Sequence, residues 1–390
     1  MVIFVMRFKD IPKSARMYMI YHVLIAPTLI SWYLLPLYLM MTGYNPLEVG
    51  VLFSVTNTLS IVLMYIVGKF FDRVPIKYGL VTVEIINSIA YFFYFLSSGT
   101  MSGLFLLLGR IAEETSFIFY PLYPAYERII YPKPNRTEIL NWHLRLPEFS
   151  QIVSFPIIGY LLGYVFTKPF HYRVSFLLIS ITSVFAAWYL MRFLVVDKER
   201  EKLSRESFSF RFSPRFWKFL MIDSLVALSN SLIPELVLIN YVVFKLHKTL
   251  FEITLIEVAM SISTIAATYL SDRMRRDQRF MIFLGMTVVS VSLFLISFGV
   301  NFPILVLLYG VIRFGSTVMF PYYRSWMWSF VPPKSSAQVH GALNSLRKII
   351  GMISPAIAGF LASVNPTFPY IVSAILYAFS AAFILVFKRL

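Results

Sequence analysis

Residues 104–118 read LFLLLGRIAEETSFI. Arg110, Glu113 and Glu114 stand in the middle of an apolar run long enough to cross a bilayer. A charged side chain at that depth costs at least about 2.5–3.5 kcal/mol on insertion scales, so its presence points to function. The three occupy positions i, i+3 and i+4, which places them on one helical face. Outward from this run the pattern recurs along the whole chain. Apolar segments fall at roughly 16–41, 47–71, 78–97, 102–129, 137–166 and 171–195, then at 215–246, 249–270, 279–299, 302–330, 336–363 and 366–388. Each approaches or exceeds the roughly 20 residues that a helix needs to span the hydrocarbon. The short alternating segments of a β-barrel are absent. The expected fold is an all-α membrane protein of about twelve transmembrane helices.

Composition agrees. The 390 residues are 58% hydrophobic and only 14% charged, whereas soluble domains are nearer one quarter charged. The net charge of +16 would suit nucleic acid, but its distribution excludes that reading. Of 35 Lys and Arg residues, 26 fall in the N-terminus, the C-terminus and the loops near Arg73, Lys133, Arg200, Arg275 and Lys334. Only Lys168, Arg173, Lys245 and Lys248 fall on the opposite side, and Arg110, Arg145, Arg313, Arg347 and Lys348 lie within spans. This positive-inside asymmetry predicts cytoplasmic termini in a multi-pass protein of the cell membrane. The basic surface then meets anionic lipid and not DNA. There is no cysteine, so disulfides, thiol catalysis and thiolate metal sites are excluded. Met1–Met6 is too short to span, and no small-residue cleavage site follows it.

Between the sixth and seventh spans lies the longest polar segment, Asp197–Ser213, with mixed charge from Lys198 to Lys202. It marks a solvated linker at 196–214 between an N-terminal six-helix bundle at 1–195 and a C-terminal one at 215–390. Pro36 answers Pro234 at a shift of 198, Asp72-Arg73 answers Asp272-Arg273 at 200, and Pro134 and Pro156 answer Pro333 and Pro355 at 199. Four ordered landmarks at nearly constant offset imply two pseudo-symmetric halves. Parallel repeats of this kind belong to transporters, with the substrate near midplane between the halves.

The loop between the second and third spans, Gly68-Lys69-Phe70-Phe71-Asp72-Arg73-Val74-Pro75-Ile76-Lys77, resembles the signature of the major facilitator superfamily. Gly68, Asp72, Arg73 and Lys77 match, while Pro75 stands where the family has Gly. The second copy keeps Asp272 and Arg273 but lacks the Gly. The fifth span, with Pro156 and Gly159, is echoed by Pro355 and Gly359 in the eleventh, and Pro156-Ile157-Ile158-Gly159 resembles the antiporter signature. Arg110 matches the fourth-span arginine of proton-coupled exporters, with Glu114 where those have Gly. The resemblance implies a carrier that works by rocking of two halves, with Gly68, Asp72, Arg73, Lys77, Asp272, Arg273, Pro156, Gly159 and Pro355 in conformational roles. Physically, Asp72 would dock on the N-terminus of the eleventh span, and Asp272 on that of the fifth.

Candidates for binding substrate or protons are Arg110, Glu113, Glu114, Arg145, Glu148, Glu235, Arg313 and Arg347. A shift of 199 carries Glu114 onto Arg313 and Glu148 onto Arg347, which suits a cavity with acids on one wall and arginines on the other. The alternative ties each charge within its own half, as Arg110 to Glu114 or Arg145 to Glu148. Glu235 follows Pro234, where a broken helix exposes backbone polar groups. Asp223 and Glu84 lie near cytoplasmic helix ends and are expected to reach water. His22 and His143 are isolated in sequence, and the five histidines show no metal-ligand spacing. Tyr120, Tyr123, Tyr126, Tyr322, Tyr323, Trp326 and Trp328 are expected in an interfacial belt. No cofactor is implied, and no phosphate-binding Gly-rich loop points to ATP. The expectation is a monomeric secondary transporter, not an enzyme, that exports small organic molecules by proton exchange. Uptake of an anionic or zwitterionic nutrient, gripped by Arg313 and Arg347, and lipid flipping or scrambling are the other readings.

Overall fold

The structure, a computed structural model, describes residues 7–71, 75–120, 122–132, 136–195, 214–271, 277–329 and 336–386. Among these residues every regular element is helical. The first span is α1 (Lys13–Ile25) and α2 (Ser31–Met41), joined by a 3-10 turn at Ala26–Ile30. The second to sixth are α3 (Pro46–Phe71), α4 (Ile76–Leu96), α5 (Ser102–Phe117) with α6 (Leu122–Ile130), α7 (Arg136–Tyr160) and α8 (Pro169–Phe193). The seventh is α9 (Pro214–Ser231) with α10 (Glu235–Ile239). The last five are α11 (Leu250–Ser271), α12 (Gln278–Ser297), α13 (Phe302–Ser329), α14 (Ser336–Val364) and α15 (Phe368–Val386).

Among the described residues, eight helical columns are long and apolar enough to cross a membrane, and Pro46–Ile61 and Ile349–Val364 are shorter apolar helices. The fourth and fifth columns hold Arg110, Glu113, Glu114, Arg145 and Glu148, and these charges dilute their hydropathy. The chain is a membrane protein whose columns follow the twelve expected segments.

Proline placement separates the repeats. Pro234 ends the seventh-span helix: α9 stops at Ser231, and α10 begins at Glu235. Its counterpart Pro36 lies inside α2, and the first span breaks instead at Ala26–Ile30. The fifth and seventh spans each finish in a π-helical turn, at Leu161–Val165 and Asn240–Lys245. Gly43 closes the first span with φ of 106°, a backbone that glycine adopts without strain.

The chain forms two compact units. Unit 1 comprises Met1–Ser31, Thr56–Ser154 and Lys168–Glu206; unit 2 comprises Trp32–Val55, Phe155–Thr167 and Ser207–Leu390. In unit 1, Ala15 of α1 and Ala186 and Ala187 of α8 share a core with Tyr18, Tyr21, Tyr126 and Tyr131. Small residues allow helices to approach closely in a bilayer, where no hydrophobic force separates protein from lipid. Ser180 of α8 donates to the Ser88 carbonyl of α4 at 2.8 Å.

Unit 2 uses the same devices. Ser229 and Ser373 exchange hydroxyl-to-carbonyl bonds of 2.9 and 2.6 Å, which clamp α9 to α15. Unit 2 also gathers the sparsely charged ends of the first, second and fifth spans against the eighth and eleventh. Gly50 of α3 abuts the Pro355 carbonyl of α14, and Gly359 abuts the Pro46 carbonyl. Gly159 and Gly163 lie against Thr254 and Thr249 of the eighth-span segment. Ser54 accepts the Ala356 N–H at 3.0 Å, and Tyr164 donates to Glu252 at 2.7 Å.

Candidate substrate and proton sites

The helix α5 delivers the first site. Gly109 leaves room for the Tyr94 ring of α4, since a Cβ there would stand 2.5 Å from Tyr94 Cε1. Tyr94 thereby reaches Glu113 and donates to its Oε2 at 2.6 Å. Arg110 Nη1 donates to the same oxygen at 2.6 Å, and Nη2 donates to Glu114 Oε1 at 2.5 Å. All three charged residues are buried, at 5–8% exposure. Arg110 is thus tied within its own helix, as one of the two readings of the sequence had it, and Glu114 already holds a guanidinium in its own unit. Two carboxylates of one helix thus share a single guanidinium.

Arg145 of α7 is also buried, and Glu148 one turn on is half-buried. Near the start of α7 lies a network that the sequence did not suggest. Glu84 of α4 is 3% exposed and accepts from Tyr21, which also bonds Tyr123 at 2.9 Å. The expectation that Glu84 snorkels to water is therefore overturned. His22 and His143, isolated in sequence, have ring centroids 4.6 Å apart. His143 Nδ1 pairs with the Tyr131 hydroxyl at 2.6 Å, and its Nε2 lies 3.8 Å from Glu127.

In unit 2, Asp223 of α9 is 1% exposed. It accepts from Arg347 Nη2 at 2.6 Å, from Arg347 Nε at 3.1 Å and from Tyr323 at 2.9 Å. The expectation that Asp223 reaches water fails, because α14 and α13 bring an arginine and a phenol to it. Of the aromatics expected in a belt, Tyr126 is fully buried and Trp326 is 2% exposed, while the half-buried Tyr123 bonds the Tyr21 hydroxyl and the half-buried Tyr323 donates to buried Asp223. Trp328 lies outside the residues whose side chains are described.

A second acidic cluster surrounds Tyr33 of α2, which donates to buried Glu257 of α11. Glu235, at the broken seventh span, and Arg313 of α13 act electrostatically on the same hydroxyl. Tyr309 of α13 bonds Tyr370 at 2.9 Å and feels Glu257 and Glu235. Neither Tyr33 nor Glu257 stood among the sequence candidates. Glu257 was visible as an acid within the apolar eighth span, whereas nothing marked Tyr33 among 24 tyrosines.

Of the conformational candidates, Pro156, Gly159 and Pro355 sit in helices, and Gly159 and Pro355 make the close approaches described above. Lys77 is half-buried in the first turn of α4, and Gly68 is helical. Asp72, Arg73, Asp272 and Arg273, and with them the expected docking on helix N-termini, lie outside the described residues.

Membrane-length helices in two units, a proline-broken seventh span and charges buried at mid-span define a polytopic membrane carrier. The Major Facilitator Superfamily profile matches residues 150–355, more than half of the chain, and the chain belongs to that family. It is a secondary transporter by that membership. Its fold is similar to that in the crystal structure of the human organic anion transporter MFSD10 (TETRAN). The TM-score is 0.68 over 96% of this chain and 99% of that chain, at 13% identity. A search of curated proteins returns no match.

Proposed function

We propose that this transporter exports small organic molecules across the cell membrane in exchange for protons, as a monomer with both termini cytoplasmic. The observation that carries the reading is the buried Arg110–Glu113–Glu114 cluster, in which one guanidinium bonds two carboxylates. Burial penalises a net negative charge, and uptake of one proton relieves it. Such a cluster suits a coupling ion better than a structural tie, for which one carboxylate suffices. The 26-to-4 split of basic residues orients the chain and makes the glycine-lined end of unit 2 the outer one. The close approaches of Gly50, Gly159 and Gly359 there support an outward-closed state.

The test is transport in proteoliposomes by the Glu113→Gln, Glu114→Gln and Glu148→Gln variants. At least one is expected to exchange substrate yet fail to accumulate it against a gradient, because exchange need not move the proton. Accumulation by all three with the pH dependence of the unsubstituted protein would make these acids structural. Anion uptake is the weaker reading, because Arg347 already grips Asp223 through two nitrogens.

A further inference from the structure

Glu257 lies seven residues into α11 and Tyr33 eight residues from the end of α2, so both sit about 10–12 Å below the sparsely charged ends of their helices at 1.5 Å rise per residue. Their bond ties the first span to the eighth, directly beneath the contacts that Thr249, Glu252 and Thr254 of the same span make with the fifth. For this end of unit 2 to open, the Tyr33–Glu257 bond has to break. A charge-assisted partner for the carboxylate would replace a neutral phenol readily, being roughly twice as strong a donor.

The surroundings specify that partner. Arg313 lies eleven residues into the 28-residue α13 and is exposed. A guanidinium turned to hydrocarbon at that depth is too costly, so its exposed face borders a polar space within the span. Glu235 is half-buried at the Pro234 break and acts on the same Tyr33 hydroxyl. Two carboxylates and one guanidinium give this cluster one negative charge when all three are ionised. Tyr309, half-buried, neighbours the same two acids, and tyrosine rings attract cations. An acidic cluster with an aromatic neighbour beside a polar space matches a monovalent organic ammonium group.

We propose that Glu257 receives the ammonium group of a cationic substrate, and that its docking displaces Tyr33 and unlatches the outer end. This deepens the transport reading and rests on it. Binding the cation and releasing the latch become one event, so that the outer end opens only around cargo. Tyr33 is a positioning residue, and Glu257 is the group that touches substrate.

The experiment uses the purified full chain with Thr254→Cys, a buried reporter facing Gly159 in a protein without other cysteines. The probes are phenethylamine, phenylacetate and 2-phenylethanol, alike in size and differing in charge. Phenethylamine is expected to raise both the melting temperature and the rate of maleimide labelling, and the other two to change neither. Glu257→Gln should weaken the amine response by about tenfold or more, the loss of one charge-assisted contact, and Glu257→Asp should retain it. Tyr33→Phe should label faster without amine and bind the amine more tightly, which a merely structural tyrosine would not do. The proposal falls if phenylacetate acts in place of the amine, if the amine has no effect, or if Glu257→Gln responds like the parent. It also falls if acidification alone, without amine, speeds labelling as far as the amine does, since a proton would then work the latch. Proton coupling through Glu113, Glu114 or Glu148 is read by accumulation in vesicles, so either proposal can fail while the other stands.

Discussion

Arg347 holds Asp223 with two nitrogens, Nη2 at 2.6 Å and Nε at 3.1 Å, and so joins the eleventh span to the seventh. The carboxylate is 2% exposed at the side chain, the arginine 45%. Removing the arginine leaves a buried, uncompensated carboxylate, and Tyr323 alone remains to satisfy it. Arg347→Ala is expected to destabilise the folded protein by about 1–3 kcal/mol, below the usual cost of a fully buried pair because the arginine is only partly buried. Arg347→Lys should recover only part of this, since an ammonium lacks the planar fork. Thermal melting of the purified variants checks it, and a fall no larger in Arg347→Ala than in Arg347→Lys would contradict the bidentate role.

Gly109 tests how the Arg110 cluster is positioned. Gly109→Ala puts a methyl group 2.5 Å from Tyr94 Cε1 and 3.0 Å from the Ala90 carbonyl. Overpacking of this kind costs about 1–3 kcal/mol, and Tyr94 should withdraw from Glu113. Gly103→Ala on the same helix meets nothing within 4 Å and is the control. Melting should separate the two, and equal melting temperatures would show that the ring moves aside without cost.

Topology is checked by labelling. Arg200→Cys in the linker should resist an impermeant maleimide in sealed right-side-out vesicles, whereas Lys248→Cys, in the turn before α11, should react. The reverse pattern would invert the protein and make the glycine-lined end cytoplasmic.

What the sequence reveals depends on the range of the interaction. The spans are legible because hydropathy is local, and the Arg110, Glu113 and Glu114 face is legible because helical spacing is local. The break at Pro234 follows from proline chemistry, yet the same reasoning gives no warning that Pro36 stays inside a helix. Glu84 and Asp223 sit near helix ends, where water is the default partner, and His143 is isolated in sequence. Only packing reveals Tyr21, Arg347 and Tyr131 as the actual partners. Tyr33 and Glu257 are 224 residues apart, and no sequence pattern links them. The assignment of residues 32–55 and 155–167 to unit 2 reflects which helix ends are in contact, a property of packing that composition does not encode.

The glycine contacts at the sparsely charged end of unit 2 give the last prediction. Gly50 and Gly359 allow backbone-to-backbone approach between α3 and α14, each against a carbonyl oxygen. Backbone cannot swing aside as a side chain can, so a larger residue at either position must separate the helices. Gly50→Val and Gly359→Val are expected to speed maleimide labelling of a Thr254→Cys reporter by about tenfold, equivalent to about 1.4 kcal/mol against the closed arrangement. Gly103→Val, away from these contacts, should leave the rate unchanged. If the two glycine variants stay folded and label no faster than the parent, the approach is incidental to closure. The outward-closed reading would then lose the close contacts on which it rests.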